Sequence, residues 1–237
     1  MDESEVLILI VAGLGILAGI VANSPAAMHR LYFRDNPGPG LVRAAILLSL
    51  AWIWLVTQLW ADESVEGVYV LFYLVLGYAA VKVFGQTGAR LFGLRMRIDV
   101  LERRNLAAAQ VLAAFVLATG LIFGGSLWGD ADPVGDDEGG WWIVWAFFLL
   151  GWVSLVCAFG LFLQREKGRA RGWGRGIRRS RDMEAANAAS LFLLAAGLAL
   201  TDAVSGDFWG WRHGLLTFGV LAGLLLTHEI FAGVAGA

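Results

Sequence analysis

Seven long, uninterrupted apolar stretches limit what this chain can fold into more than any other feature. They cover residues 5–23, 41–61, 66–86, 105–127, 141–163, 186–203 and 214–235. A helix needs about 20 mostly apolar residues to cross the hydrocarbon of a bilayer. No water reaches that layer to satisfy exposed peptide groups, so only helices and closed barrels can span it. Barrel strands alternate apolar and polar residues, and these runs do not. The expected fold is all-α: a polytopic transmembrane helical bundle of about seven spans. Composition agrees, with 58% hydrophobic and 16% charged residues, against about 45–50% and 25% in soluble domains. Eleven Trp suit the water–lipid interface, which indole rings favour.

Net charge is −2 and says nothing about partners, but its distribution predicts an orientation. Arg30, Arg34 and Arg43 flank the first connection. Lys82, Arg90, Arg95, Arg97, Arg103 and Arg104 lie at or near the third, and eight cations crowd residues 165–181. With seven spans, seventeen of the eighteen Lys and Arg share one side, and only Arg212 falls opposite. The positive-inside rule makes the basic side cytoplasmic, with the N-terminus outside and the C-terminus in the cytoplasm. The opposite loops are acidic, with Asp130, Asp132, Asp136, Asp137 and Glu138 in one of them. The start, Met1-Asp2-Glu3-Ser4-Glu5, lacks the positive flank of a secretory signal, so the first run is expected to be a retained span. Asn36-Pro37-Gly38-Pro39-Gly40 is a turn cluster expected to stop one helix before the next. Two regions are expected: 1–65 with spans 1–2, and 66–237 with spans 3–7. The predicted location is a bacterial inner (cytoplasmic) membrane, crossed several times.

An internal echo follows. Span four opens with Glu102-x-x-Asn105-x-Ala107, and span six with Glu184-x-x-Asn187-x-Ala189. Each is followed by a Gly-rich outer loop and a return span. This predicts two parallel helix-pair repeats, spans 4–5 and 6–7, related by an axis along the membrane normal, a repeat type known from transporters. A third copy over spans two and three is hinted at by Arg43-Ala44-Ala45 but lacks the Asn. The structural reading of the motif is a Glu on the helix dipole, an Asn cap and small residues for close packing. The functional reading sets Asn105 and Asn187 facing one another across a polar mouth.

With Asp99, Glu102-x-x-Asn105-x-Ala107-Ala108, an apolar helix, a Gly-rich loop and Glu184-x-x-Asn187-Ala188-Ala189, residues 68–226 resemble the YjfL-like family of small bacterial inner-membrane proteins, a domain of unknown function. The resemblance implies four-span modules without an established activity. This chain departs from the pattern by its extra N-terminal spans and one C-terminal span.

Ionisable groups inside a membrane are costly and are functional candidates by default. The candidate polar or transport site comprises Asn105, Asn187, Glu102, Glu184, His228 and Glu229. Adjacent residues on a helix point about 100° apart, so His228 and Glu229 are not expected to face one site together. They are either both interfacial or part of a proton- or ion-handling site. Lys82 can snorkel to the interface, and Gln110, Thr119, Thr57 and Gln58 are expected to bond between helices. Gly15-x-x-x-Gly19, Gly120-x-x-x-Gly124 and Gly219-x-x-x-Gly223 predict close helix contacts within the bundle or between copies. Arg165, Lys167, Arg169, Arg171, Arg175, Arg178, Arg179 and Arg181 set topology and could contact anionic lipid.

Several chemistries lack their residues. The chain has no P-loop and no H-E-x-x-H. The last span carries no lysine for a retinal Schiff base. Cys157, the only cysteine, excludes an internal disulfide and a Cys-based zinc site. No catalytic, metal or cofactor-binding residues are assigned and no cofactor is expected. The expected partners are membrane lipids, with a homo-oligomer or a membrane-protein partner open and nucleic acid not expected. The expected function is that of a non-enzymatic envelope or accessory protein. The alternative is a small-molecule or ion transporter or channel, with its pathway between the helix-pair repeats.

Overall fold

The computed structural model describes residues 36–129, 141–166, 176–205 and 211–235, with a few isolated positions between 3 and 14. Six helices carry the fold: α1 Gly38–Leu59, α2 Val68–Leu91, α3 Leu106–Gly125, α4 Trp141–Glu166, α5 Met183–Ala203 and α6 Trp211–Ala235. All six are long and apolar enough to cross a membrane. They answer the second to seventh apolar runs. The first run, 5–23, lies mostly outside the described residues. Among the described residues there is no strand, only an isolated bridge between Ala61 and Gly129.

The turn cluster at 36–40 starts α1 instead of standing clear of it. The Asn36 side-chain oxygen accepts from the Gly38 N–H at 3.2 Å, and Pro39 sits in the first turn, where its missing N–H costs nothing. Midway, α2 widens into a π-helical stretch at Val81–Gly85, and Trp152 of α4 donates to the Phe84 carbonyl there at 3.2 Å. Neighbouring groups that satisfy backbone carbonyls are what make such irregular turns tolerable in an apolar setting.

Helices α1, α3 and α5 run in one direction, and α2, α4 and α6 return. At the Arg-rich end, Asn36 donates to the Val100 carbonyl at 2.8 Å and Asn105 to the Ile177 carbonyl at 2.7 Å. At the far end, Gly129 N–H donates to the Trp60 carbonyl at 2.9 Å, and the Trp60 and Trp128 rings stack 4.6 Å apart. Helix α3 is the axis, packed along α1 on one side and α5 on the other. Its apolar residues are buried nearly all the way round, including Phe115, Val116, Ile122 and Phe123.

Small residues permit that packing. A Cβ on Gly120 would lie 2.3 Å from Ser49 of α1, and one on Gly197 of α5 would lie 2.9 Å from Ala118 of α3. The Gly120/Gly124 pair thus makes the close contact its spacing predicts. Gly219 and Gly223 on α6 have nothing within 4 Å, and Gly15 and Gly19 lie outside the described residues.

Candidate functional site

The polar residues gather at the Arg-rich end, around a short π-helical turn at Met96–Glu102 that precedes α3. Its centre is Asp99, which is fully buried. One carboxylate oxygen accepts from the Arg95 N–H at 2.9 Å. The other lies 3.2 Å from Arg103 Nη1 and 3.2 Å from Arg178 Nε. Burying a lone carboxylate is prohibitive, and it is tolerated only when charge and hydrogen bonds compensate it. Here both are supplied, and Arg178 comes from beyond α4, so the ion cluster ties two junctions of the chain together. Arg181 adds a bond from its guanidinium to the Arg103 carbonyl at 2.9 Å.

Asn105 completes the tie. Its side-chain oxygen caps α3 by accepting from the Ala108 N–H at 3.1 Å, a usual role for Asn before a helix. Its amide nitrogen donates to the Ile177 carbonyl, inside a second π-helical turn, Gly176–Ser180. Each helix of the pair α3 and α5 is therefore preceded by the same construction. A π turn leads to an arginine in the left-handed region, Arg104 at φ 50° or Arg181 at φ 55°, and then to an Asn or Asp cap. Asp182 accepts from the Glu184 and Ala185 N–H groups at 3.0 and 3.1 Å. Asn36 lies one residue before the α1 cap Pro37 and reaches the Val100 carbonyl as Asn105 reaches that of Ile177.

This register differs from the one the sequence echo suggests. The matched E-x-x-N strings pair Asn105 with Asn187, but Asn105 caps a helix and Asn187 lies in the second turn of α5. The residue standing where Asn105 stands is Asp182. The partner of Asn187 is Gln110, whose amide donates to the Asn187 side-chain oxygen at 2.7 Å. Both fall five residues after their caps, so they hold equivalent positions on adjacent parallel helices.

The other candidates separate. Glu102 is exposed and pairs with Arg97 at 3.3 Å, and Glu184 is exposed in the first turn of α5. Glu229 is buried on α6, with one oxygen 3.1 Å from Arg165 Nη1 of α4. That contact has ion-pair distance without hydrogen-bond alignment, because the same Oε2 has no hydrogen-bond partner. Arg165 also lies over the Phe162 ring, 5.2 Å from its centroid. His228 is largely exposed, and its Nδ1 still reaches back to Glu229 Oε1 at 3.1 Å. The two side chains thus meet, although adjacent residues on a helix point about 100° apart. Of the eight basic residues expected at lipid, Arg165 and Arg178 enter internal ion pairs. Arg179 and Arg181 are exposed, and Lys167, Arg169, Arg171 and Arg175 lie outside the described residues.

Asp99 was not among the expected site residues, although an acid set among Arg95, Arg97, Arg103 and Arg104 is a signal. Nor was Ser190, one turn beyond Asn187 on α5. Ser190 is buried, and its hydroxyl has no hydrogen-bond partner among the described residues. Among the described residues no group of three or more His, Cys, Asp or Glu is placed to hold a metal ion. No family model, curated protein or solved structure matches this chain.

Proposed function

We propose that this chain is a non-enzymatic accessory protein of a bacterial inner membrane. In this reading it has seven spans, an outside N-terminus and a cytoplasmic Arg-rich end, and α1–α2, α3–α4 and α5–α6 are like-oriented helix pairs. It is akin over α2–α6 to the YjfL-like family, as the Glu102-x-x-Asn105 and Glu184-x-x-Asn187 openings suggest. The observation that carries the reading is α3. The central helix, where a pathway between the pairs would run, is sealed by apolar and small side chains: Val111, Phe115, Ala118 and Ile122 are all fully buried. Its one mid-helix hydroxyl, Thr119, is turned back onto the Phe115 carbonyl at 2.7 Å. At the basic end, Asp99, Arg103, Arg178 and Arg181 are likewise occupied in joining backbone turns.

Cysteine scanning tests this. In a Cys157→Ala background, single cysteines at Val111, Ala118 and Thr119 should resist a membrane-impermeant maleimide in intact vesicles, while one at Arg179 reacts. Labelling of the α3 positions would reveal a hydrated path and favour the transporter alternative, for which the Gln110–Asn187 amide pair is the best-placed polar feature.

A further inference from the structure

Helices α1, α3 and α5 present the same four positions to a common groove. Counting from Asn36, which precedes the α1 cap Pro37, and from the caps Asn105 and Asp182, these are the fifth, eighth, ninth and twelfth residues, the i, i+3, i+4, i+7 face of a helix. The first layer is Leu41, Gln110 and Asn187, and the last is Leu48, Leu117 and Leu194. The space between them is about 420 Å³, within the roughly 300–1,000 Å³ usual for small-molecule sites. The floor is alanine from α3, buried at Ala113 and Ala114, and the rim is exposed leucine, Leu48 and Leu191.

We propose that this groove binds a membrane lipid: an acyl chain lies along the alanine floor, and the ester or carboxyl oxygens meet the amides of Gln110 and Asn187. The inference rests on the reading that these helices span a bilayer. Three features fit that occupant. The first is polarity. The groove is apolar except at its basic end, where two amides and the Ser190 hydroxyl cluster. The Gln110–Asn187 bond uses one donor and one acceptor, leaving an amide oxygen and further N–H groups to offer. Ser49, Thr119 and Thr201 each donate to a carbonyl one turn back, whereas Ser190 does not. Its hydroxyl is buried without a partner, and a buried unpaired polar group of this kind costs free energy unless a ligand or a turned side chain satisfies it. The second is length. Seven residues of helix make the groove about 10 Å long. Beyond it, Ser49 meets Gly120, and Ala118 meets Gly197, so the three helices close. A spanning helix of about 30 Å cannot follow that path, but part of an extended hydrocarbon chain can. The third is access, since the leucine rim opens sideways to the surroundings of the bundle.

The test uses the full chain, first confirmed to remain in the membrane fraction after alkaline extraction. It is then purified from nanodiscs of phosphatidylethanolamine and phosphatidylglycerol into mild detergent for native mass spectrometry. The wild type should retain a single lipid per chain. Leu48→Trp with Leu191→Trp, which narrows the groove from its exposed rim, should abolish retention while helix content and monodispersity stay unchanged. Gln110→Leu with Asn187→Leu should lower occupancy about tenfold, as two lost interhelical-type hydrogen bonds predict. The retained mass distinguishes a diacyl phospholipid from a free fatty acid. Equal retention by the wild type and the narrowed variant, or no retained lipid in a chain that resists extraction, overturns the proposal and leaves the membrane reading intact. So does a photo-crosslinker at Leu191 that captures residues 1–35 or a second copy in place of lipid. A chain released by alkaline extraction overturns the membrane reading itself.

Discussion

At Asp99, one carboxylate joins two junctions that are far apart in sequence. Replacing it with Ala removes the acceptor shared by the Arg103 and Arg178 side chains and the Arg95 N–H, at an expected cost of about 1–3 kcal/mol. The figure lies below that for a fully buried pair because both arginines keep some solvent contact. Glu102→Ala removes only an exposed pair and should cost less than about 1 kcal/mol. Thermal unfolding of the two variants in the same detergent should therefore separate them clearly. Glu229 offers a second residue-scale test. Glu229→Gln leaves Arg165 with a neutral partner and should lower the melting temperature. Combining Glu229→Leu with Arg165→Met should recover part of the loss, because apolar substitutes avoid the desolvation that a buried ion pair carries. A double variant less stable than Glu229→Gln would contradict that account.

At the scale of the element, α3 is held by shape. Its glycines let neighbouring backbones come close, which is the principal source of association when lipid is as apolar as leucine. Gly120→Ala places a methyl 2.3 Å from Ser49 and should destabilise by about 1–3 kcal/mol through overpacking. Gly219→Ala enters open space and should leave the monomer's stability unchanged or slightly raised, since alanine favours the helix. The comparison is read from detergent thermal melts. A melting temperature for Gly219→Ala as low as that for Gly120→Ala would show that α6 packs against something within the folded chain. The junctions are the other element-scale device. A π turn, a left-handed arginine and an Asx cap recur before α3 and α5, and Asn36 and Asn105 each bind the following junction through a backbone carbonyl.

For the whole molecule, the proposed seven-span arrangement predicts opposite fates for reporters at the two ends of the bundle. Alkaline phosphatase fused after Asp136 should be active. The same enzyme fused after Arg179 should be inactive, whereas a green fluorescent protein there should fluoresce. Reversed signals would invert the orientation drawn from the basic residues. The apolar runs made six helices legible within a few residues, because length and hydropathy are local quantities. At 36–40, Asn36 and Pro39 start α1 instead of breaking the chain. The reason is that Asn and Pro serve turns and helix starts alike.

What the amino-acid sequence determined alone was the set of long apolar helices, the clustering of cations at alternate connections and the small residues available for close packing. Each is read from residues near one another in the chain. Only the tertiary structure decided which polar groups meet. It paired Asp99 with Arg178, Glu229 with Arg165, and Gln110 with Asn187, and it set Asp182 where the sequence echo would put Asn187. Those contacts join residues some sixty to eighty apart in sequence. Their choice follows from how α1, α3 and α5 align when glycine and alanine let them approach, and a string match carries no information about that alignment.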